Sequence, residues 1–178
     1  MEFLILVLIL SFLILDFVID RWLATLNVKH WPESVPERIA AVFTPEKFNK
    51  AKAYSRDRNN LSNIVSVFQL VLVLSFILAG GFAWIDSIAA DLWNHPIGHS
   101  IVFFAVLLVG ADILTLPFQW YSVFTIEQKY GFNKSTPAIF IADKIKSWIM
   151  SAILGGGIFW LLAEIYYEMP DYFWLLAW

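Results

Sequence analysis

Four long apolar stretches constrain this chain more than any other feature of its sequence. They cover residues 3–19, 64–85, 101–120 and 148–166. Each is close to the roughly 17–25 residues that an α-helix needs to cross a hydrocarbon core about 30 Å thick. Backbone groups cannot stay unpaired in lipid, so segments of this kind must be helical. The sequence therefore predicts an all-α, polytopic membrane helix bundle with four spanning helices.

The composition and the two ends of the chain refine this prediction. Hydrophobic residues make up 60% of the 178 positions and charged residues 15%, whereas soluble domains have about 25% charged residues. The first stretch lacks the basic start and the cleavage site of a secretory signal, so it is predicted to remain as a transmembrane helix. From Tyr172 onward the chain resembles a fifth span cut off after about two turns. Residues 1–178 are therefore expected to be either the first part of something longer or an isolated N-terminal domain.

Basic residues are confined to two connections between the apolar stretches. Eight lie between the first and second stretches and four between the third and fourth: Arg21, Lys29, Arg38, Lys47, Lys50, Lys52, Arg56, Arg58, then Lys129, Lys134, Lys144 and Lys146. Short loops rich in Lys and Arg stay in the cytoplasm. The N-terminus is therefore predicted outside, and the short loops favour a bacterial inner membrane over the endoplasmic reticulum. Trp22, Trp120 and Trp148 fall at predicted inner boundaries, where aromatic belts form.

The first basic loop carries a helix-start signal. Thr44-Pro45-Glu46 combines a hydroxyl N-cap, a proline at the first helical position and an acid in the first turn. The segment from Pro45 to about Arg58 is interpreted either as a short helix that lies on the inner membrane surface or against a cytosolic domain, or as a solvated basic connector that only fixes topology.

The second basic loop contains signals for both a helix end and a helix start. Pro117 is predicted to end or kink the third span and to begin the loop. Gly131 is predicted to stop a helix. Ser135 or Thr136, placed before Pro137, is predicted to start the helix that continues into the fourth span.

Two glycine runs lie within or beside the apolar stretches. Gly155-Gly156-Gly157, together with Ser151, is predicted to form a small-residue face for close helix packing. Gly80-Gly81 is expected either to do the same or to loosen the outer end of the second span.

Polar side chains inside the spans are the candidates for function, because they are costly in lipid. They are Asp16 near the inner end of the first span, Asp112 near the middle of the third, and Glu164 toward the outer end of the fourth. At mid-depth a charge costs about 2.5–3.5 kcal/mol. Asp112 is therefore expected to face either a solvated cavity or a neighbouring helix, with Gln69 as the candidate hydrogen-bond partner.

No catalytic or metal-binding residue is predicted in this chain. It has no cysteine. His95 and His99 lie four residues apart, as in an H-E-x-x-H zinc helix, but the glutamate is missing, and Pro96 and Gly98 argue against a helix there. No cofactor is expected within the chain, and nucleic acid is not an expected partner.

The second basic loop and its flanks match a family pattern. Residues 116–146 contain the motif Glu-x-x-x-Gly-Phe-Asn-Lys-x-Thr, and residues 48–54 and the closing segments 171–173 and 177–178 add to it. Together they resemble the N-terminal transmembrane region of the integral-membrane zinc metallopeptidases called CAAX prenyl protease type 1. The residues that carry the resemblance include Pro117, Phe124, Glu127, Gly131, Phe132, Asn133, Lys134, Thr136, Asp143 and Lys146.

The resemblance implies a larger enzyme whose helices ring a water-filled intramembrane chamber. The family's zinc site, H-E-x-x-H with a later glutamate, lies beyond the position of Trp178, so this chain alone is expected to be inactive. Its implied role is part of the chamber wall, with Asp112, Glu164, Gln69 and Asp16 as candidate chamber-facing side chains. The implied partners are the lipid bilayer, a C-terminal zinc protease domain, and peptide or membrane-protein substrates.

Two other functions are open from the sequence alone. The chain could be a stand-alone membrane scaffold or substrate-binding protein, or a small transporter using Asp112 as a proton or cation site. A zinc motif encoded beyond residue 178 would favour the protease, and a stop codon there would favour the scaffold.

Overall fold

Helices form most of the computed structural model, which describes residues 2–32, 34–35 and 44–176. The first four helices are α1 (Glu2–Lys29), α2 (Pro45–Leu78), α3 (Gly81–Leu92) and α4 (Pro96–Tyr121). A π-helical segment, Ser122–Glu127, follows α4. The remaining elements are α5 (Pro137–Met150), a second π-helical segment (Ser151–Gly155), α6 (Gly156–Glu168), a 3-10 turn (Pro170–Tyr172) and α7 (Phe173–Leu176). Arg38, Ala177 and Trp178, which entered the predictions above, lie outside the described residues.

The predicted membrane class is confirmed. Four helical stretches are long and apolar enough to cross a bilayer, namely Phe3–Lys29, Pro45–Leu78, Pro96–Glu127 and Pro137–Glu168. Within the described ranges there is no strand. Large apolar side chains on these helices are widely exposed, including Phe12 at 68% and Leu108 at 66%. Lipid tails are as apolar as leucine, so a bilayer can cover such surfaces without penalty.

The helix α2 is much longer than the apolar stretch that it contains. Thr44 caps it, because its Oγ1 accepts a hydrogen bond from Lys47 N at 3.3 Å. The helix then runs for 34 residues to Leu78, about 51 Å at 1.5 Å per residue. The predicted helix start at Pro45 is therefore confirmed, but the helix is neither short nor separate from the second span. No glycine or proline separates this segment from the span, so the helix continues through it and projects beyond the bilayer core.

The second apolar stretch is not one helix to residue 85, as was predicted. α2 ends at Leu78, and Gly80 adopts φ 72°, in the left-handed region. Only glycine reaches that region at low cost, so the glycine pair separates α2 from α3, which begins at Gly81. Of the two expectations for this pair, loosening the end of the span is the one that the structure supports.

Pro117 does not end the third span. It lies inside α4, and the helical backbone continues through the π-helical segment to Glu127. Proline is tolerated in membrane helices where local π-type adjustments and neighbouring polar groups satisfy the freed carbonyl groups. The other two signals in this loop are confirmed. Gly131 ends the helix with φ 75°, and Thr136 Oγ1 accepts from Ile139 N at 3.3 Å at the start of α5.

Contacts group the chain into two units. The first comprises residues 1–78 and 116–134, and the second comprises residues 79–115 and 135–178. In the second unit the predicted close packing at Gly155-Gly156-Gly157 is absent from the described chain, because nothing lies within 4 Å of a Cβ added to any of the three. The close approach occurs instead at Gly98, where an added Cβ would collide with the Trp93 indole. Contrary to prediction, His99 lies in a helix, because Pro96 occupies its favoured place at the start of α4, whereas His95 lies just before that helix.

Candidate functional site

A carboxylate at the middle of α4 is held by two side chains of α5. Lys144 Nζ donates to Asp112 Oδ1 at 2.8 Å and to Oδ2 at 3.1 Å. Trp148 Nε1 donates to Oδ2 at 2.8 Å. Lys144 and Trp148 lie four residues apart and therefore project from the same face of α5. The negative charge of Asp112 thus has its counter-ion and a neutral donor within hydrogen-bonding distance.

In this cluster Lys144 and Trp148 make hydrogen bonds that the sequence did not predict. Lys144 was counted among the loop charges that set orientation, yet its side chain is only 22% exposed and faces that of Asp112, which is 27% exposed. Trp148 was assigned to an interfacial belt, yet its indole donates to the same carboxylate. The Asp112 carboxylate therefore contacts a neighbouring helix, α5. Gln69, named above as its candidate partner, lines a groove in the first unit.

That groove lies between α1 and α2 and has a volume of about 200 Å³. Its polar lining consists of Asp16, Asp20, Arg21, Ser66 and Gln69. Two of the residues predicted to face a chamber, Asp16 and Gln69, are therefore brought to one surface by the pairing of these helices.

Arg21 anchors one end of this groove to α2. Its Nη1 donates to Asn63 Oδ1 at 2.7 Å. Its Nε is buried and has no hydrogen-bond partner among the described residues. The guanidinium is therefore fixed in place while one of its donors points into the protein interior.

Asp16 and Gln69 lie at similar distances from the predicted inner boundary of the membrane. Asp16 is six residues from Trp22, which marks the predicted inner boundary, and Gln69 is five residues beyond Ile64, where the apolar part of α2 begins. At 1.5 Å per residue these positions lie about 9 Å and about 7.5 Å inside the boundary. Agreement between the two depths is expected if α1 and α2 cross the bilayer side by side with Arg21 facing Asn63.

A second polar cluster joins the charged part of α2 to the second basic loop. Asp57 Oδ2 accepts from Lys129 Nζ at 2.7 Å and from Tyr130 Oη at 2.8 Å. Tyr130 is 8% exposed, so its ring is buried while its hydroxyl group reaches the carboxylate. We call Asp57, Lys129 and Tyr130 the loop clasp.

The loop clasp changes the acid–base properties of its two loop residues. The hydrogen bond from the Lys129 ammonium to Asp57, with the attraction of that carboxylate, raises the pKa of Lys129 above 10.5. Burial of the ring, followed by the hydrogen bond to Asp57, raises the pKa of the Tyr130 phenol above 10.0. Both groups therefore hold their protons more tightly in the folded protein than in the unfolded chain.

The loop clasp belongs to a longer stripe along α2. The Tyr54 ring packs edge-on against Tyr130 at 5.4 Å and against Phe132 at 4.9 Å, and Lys50 Nζ lies 5.6 Å from the Phe132 ring centre. Nearer the membrane, Phe68 packs on Phe118 at 5.0 Å. The stripe residues of α2 are Lys50, Tyr54, Asp57, Leu61, Ile64 and Phe68. Their alternating spacing of four and three keeps them on one helix face.

Sequence reasoning missed this stripe and the loop clasp. The four–three spacing from Lys50 to Phe68 was the available signal. It was overlooked because the stripe passes from charged to aromatic to aliphatic side chains and so shows no uniform apolar period.

The family motif forms a compact turn that directly follows the π-helical segment. The backbone carbonyl of Glu127 accepts from Phe132 N at 2.8 Å and from Asn133 N at 3.3 Å. Gly131 supplies the left-handed residue that such a helix end requires. Thr136 then caps α5. The motif therefore specifies how one helix ends and the next begins.

The other motif residues lie on the flanks of this turn. The Phe124 ring is 4.4 Å from Trp120 in the π-helical region. Lys134 is exposed. Asp143 and Lys146 form an exposed pair at 3.9 Å on α5. Glu164, the remaining predicted chamber-facing residue, is exposed on α6.

The described residues do not fit the zinc ion that the family resemblance implies. Within residues 2–32, 34–35 and 44–176, no group of three or more His, Asp or Glu side chains is placed to hold a metal. His99 Nε2 instead lies 2.8 Å from Asp86 Oδ1, and the His95 ring stacks on Trp160 at 5.5 Å. No step of zinc chemistry can be assigned to these side chains.

Comparison with known proteins gives one consistent result. The family described as CAAX prenyl protease N-terminal, five membrane helices, matches residues 24–178. The probable CAAX prenyl protease 1 of Schizosaccharomyces pombe is 33% identical over 97% of this chain and 39% of its own length. The Saccharomyces cerevisiae CAAX prenyl protease 1 is 29% identical over 93% of this chain and 39% of its own length.

A solved structure agrees with these relatives. The crystal structure of S. mikatae Ste24p superposes with a TM-score of 0.82 at 28% identity, covering 94% of this chain and 40% of that one. The chain thus spans about two fifths of the length of the relatives that it matches.

Proposed function

This chain belongs to the CAAX prenyl protease N-terminal family, and we propose that its membrane helices form part of the wall of an intramembrane chamber in a zinc metallopeptidase of that type. The peptide bond cleavage itself would belong to a C-terminal zinc protease domain, since the residues described here offer no zinc site. Peptides or membrane proteins are the proposed substrates. The role assigned to this chain is therefore structural, as a polar wall beside the substrate.

The α1–α2 groove is the observation that carries this proposal. It presents two carboxylates, an amide and a hydroxyl group at membrane depth, from Asp16, Asp20, Gln69 and Ser66. Ionisable groups in membrane helices face protein or water and avoid lipid. A groove of this composition is accordingly suited to line a water-filled chamber and is unsuited to contact acyl chains.

The Asp112 cluster supports the same role in a different way. Its ion pair joins α4 to α5 within membrane-spanning helices. A charged link of this kind opposes separation of the two helices, because pulling them apart would leave two unpaired charges at low dielectric. We propose that this link keeps a wall rigid while solvent and substrate occupy the chamber.

The test uses the absence of cysteine from residues 1–178, which makes an introduced cysteine the only thiol in this chain. Gln69→Cys places it in the groove, and Val71→Cys, two residues later on α2 and 57% exposed, is the matched control outside the groove. Each variant is treated in native membranes with a charged methanethiosulfonate reagent that does not dissolve in lipid. The thiolate is the reacting form, so we expect Gln69→Cys to react at least about tenfold faster than Val71→Cys.

Two outcomes separate the possibilities. Fast reaction at position 69 alone supports a water-lined groove. Equally slow reaction at both positions would show that the groove is closed to water and would overturn the proposal. Asp16→Cys is a second reporter from the opposite helix, so that the result does not depend on one substitution.

We propose the orientation with the N-terminus outside and both basic loops in the cytoplasm, in a bacterial inner membrane rather than the endoplasmic reticulum. The distribution of lysine and arginine supports the orientation. The same labelling chemistry tests it in intact cells. Lys134→Cys should be protected from an impermeant reagent until the cells are opened, and labelling of intact cells would reverse the orientation.

A further inference from the structure

A cavity of about 340 Å³ lies between α2 and the π-helical segment of the first unit. Its volume is within the range of small-molecule sites. One part of its wall is aliphatic and comes from Leu61, Ile64 and Ile126. Ile126 is 4% exposed and is among the few buried hydrophobic residues of the described chain. The aliphatic wall is thus built on a firmly packed residue.

The remaining wall is rich in hydrogen-bond donors. Lys129 Nζ uses one of its three N–H groups on Asp57. The Tyr121 and Thr125 hydroxyl groups and the Asn60 amide line the same cavity. Asp57 is the acidic residue of this wall, and it already accepts two hydrogen bonds within the loop clasp. The Lys129 ammonium balances the charge of the Asp57 carboxylate, so the cavity presents several donors, without excess negative charge, to a strongly accepting ligand.

The position of the cavity narrows the choice of ligand. Ile64 is the first residue of the apolar part of α2, and Tyr121 follows Trp120, an aromatic residue at the predicted boundary. The cavity therefore lies at the level where lipid phosphates meet the hydrocarbon core. Arg56 and Arg58 lie on α2 just outside that level and add positive charge on the same side of the membrane.

We propose that this cavity binds a membrane phospholipid, with its phosphate at Lys129, Tyr121 and Thr125 and its glycerol and first acyl carbons against Leu61 and Ile64. The aliphatic wall favours a lipid over free phosphate, which would gain nothing from it. The bound lipid would fill the space between α2 and the π-helical segment. This site is separate from the α1–α2 groove, so it does not depend on the chamber role.

The experiment is native mass spectrometry of the purified full chain in detergent, titrated with phosphatidylglycerol. Leu61→Trp fills the aliphatic part of the cavity, and Lys129→Gln removes the charged donor. Lys134→Gln is the matched control, because it removes a lysine from the same loop without touching the cavity. Loss of a charge-assisted hydrogen bond predicts a dissociation constant about tenfold higher for Lys129→Gln. We expect one retained lipid to disappear in Leu61→Trp and no change in Lys134→Gln.

Each outcome decides the proposal. Equal lipid retention by all four proteins would overturn it, as would displacement of the lipid by inorganic phosphate at the same concentration. Helical circular dichroism establishes that each variant is folded. Should Leu61→Trp lose its structure, Thr125→Val replaces it as a nearly isosteric change, and undiminished lipid binding by both Thr125→Val and Lys129→Gln would refute the site.

Discussion

Replacing Asp112 by asparagine removes a charge while keeping a hydrogen-bond acceptor. The asparagine carbonyl can still accept from Trp148 Nε1, which donates at 2.8 Å in the native cluster. Lys144, by contrast, loses a counter-ion at 2.8 Å. The complementary change, Lys144→Met, removes the ammonium group that contacts the Asp112 carboxylate and keeps the hydrogen bond from Trp148. Each single variant thus removes one charge of the ion pair, and the double variant removes both.

The expected size of the effect follows from exposure. Removing one partner of a fully buried ion pair costs about 3–5 kcal/mol. Here the side chains of Asp112 and Lys144 remain 27% and 22% exposed, so partial solvation reduces the cost to about 2 kcal/mol for each single variant. The double variant should cost less than the sum of the two, with a coupling free energy of about 1–2 kcal/mol.

The free energy of unfolding is measured by denaturant titration in mixed micelles, followed by helical circular dichroism. The matched control is the cycle Asp143→Asn and Lys146→Met, because that pair is 3.9 Å apart with side chains 66% and 75% exposed. Its coupling should be near zero, as for other exposed pairs. Additive costs at Asp112 and Lys144, within about 0.5 kcal/mol, would refute the view that their charges stabilise the α4–α5 contact.

Three further predictions concern the basic loop and the chain as a whole. Folding raises the pKa values of Lys129 and Tyr130 above their ordinary values of 10.5 and 10.0. The stability that the loop clasp contributes is therefore fully present below those ordinary values, and it is lost as the pH rises through the raised pKa values of the folded protein. In a phenolate absorbance titration, Asp57→Asn should return part of the Tyr130 shift, since burial remains, and an unchanged titration would contradict the assigned cause. Gly131→Ala should lower the free energy of unfolding by about 1–2 kcal/mol, because the φ angle of Gly131 is 75°. The control is Gly156→Ala, where an added Cβ likewise meets nothing within 4 Å and the change should be neutral or slightly stabilising. Equal effects of the two substitutions would rule out backbone strain at Gly131. Purified residues 1–178 should release no product from a prenylated CAAX peptide with added zinc, and turnover above a no-protein control would overturn the assignment of catalysis to another domain.

Local signals in the sequence predicted the elements well where one residue type controls the backbone. Thr44 and Thr136 cap helices as expected, and Gly131 ends one. Pro117 does not end the third span, which was one of the two effects predicted for it. The effect of a proline depends on whether the surrounding helix can adjust, and here the helix continues into a π-helical segment. Hydrophobicity also placed the end of the second span too late, because it cannot distinguish a helix from two helices joined at Gly80.

The candidate site was harder to predict than the helices. Depth along a single helix identified Asp16 and Asp112 as unusual, since only the cost of a charge in lipid is needed for that inference. Their partners depend on which helix faces meet. The sequence offered a neighbouring helix as one surrounding for Asp112, but it did not indicate that α5 contributes Lys144 and Trp148.

The sequence by itself determined that this protein is a polytopic helical membrane protein, because apolar length and backbone hydrogen bonding leave no other solution in lipid. Its loop motif likewise indicated the family, which the match over residues 24–178 confirms. Only the tertiary structure decided which polar side chains pair. It shows that Lys144 is the counter-ion of Asp112 and that Asp57 binds Lys129 of the second basic loop. The physical reason is that the hydrophobic pattern is a property of one helix, whereas an ion pair exists only when two helices meet in a particular register.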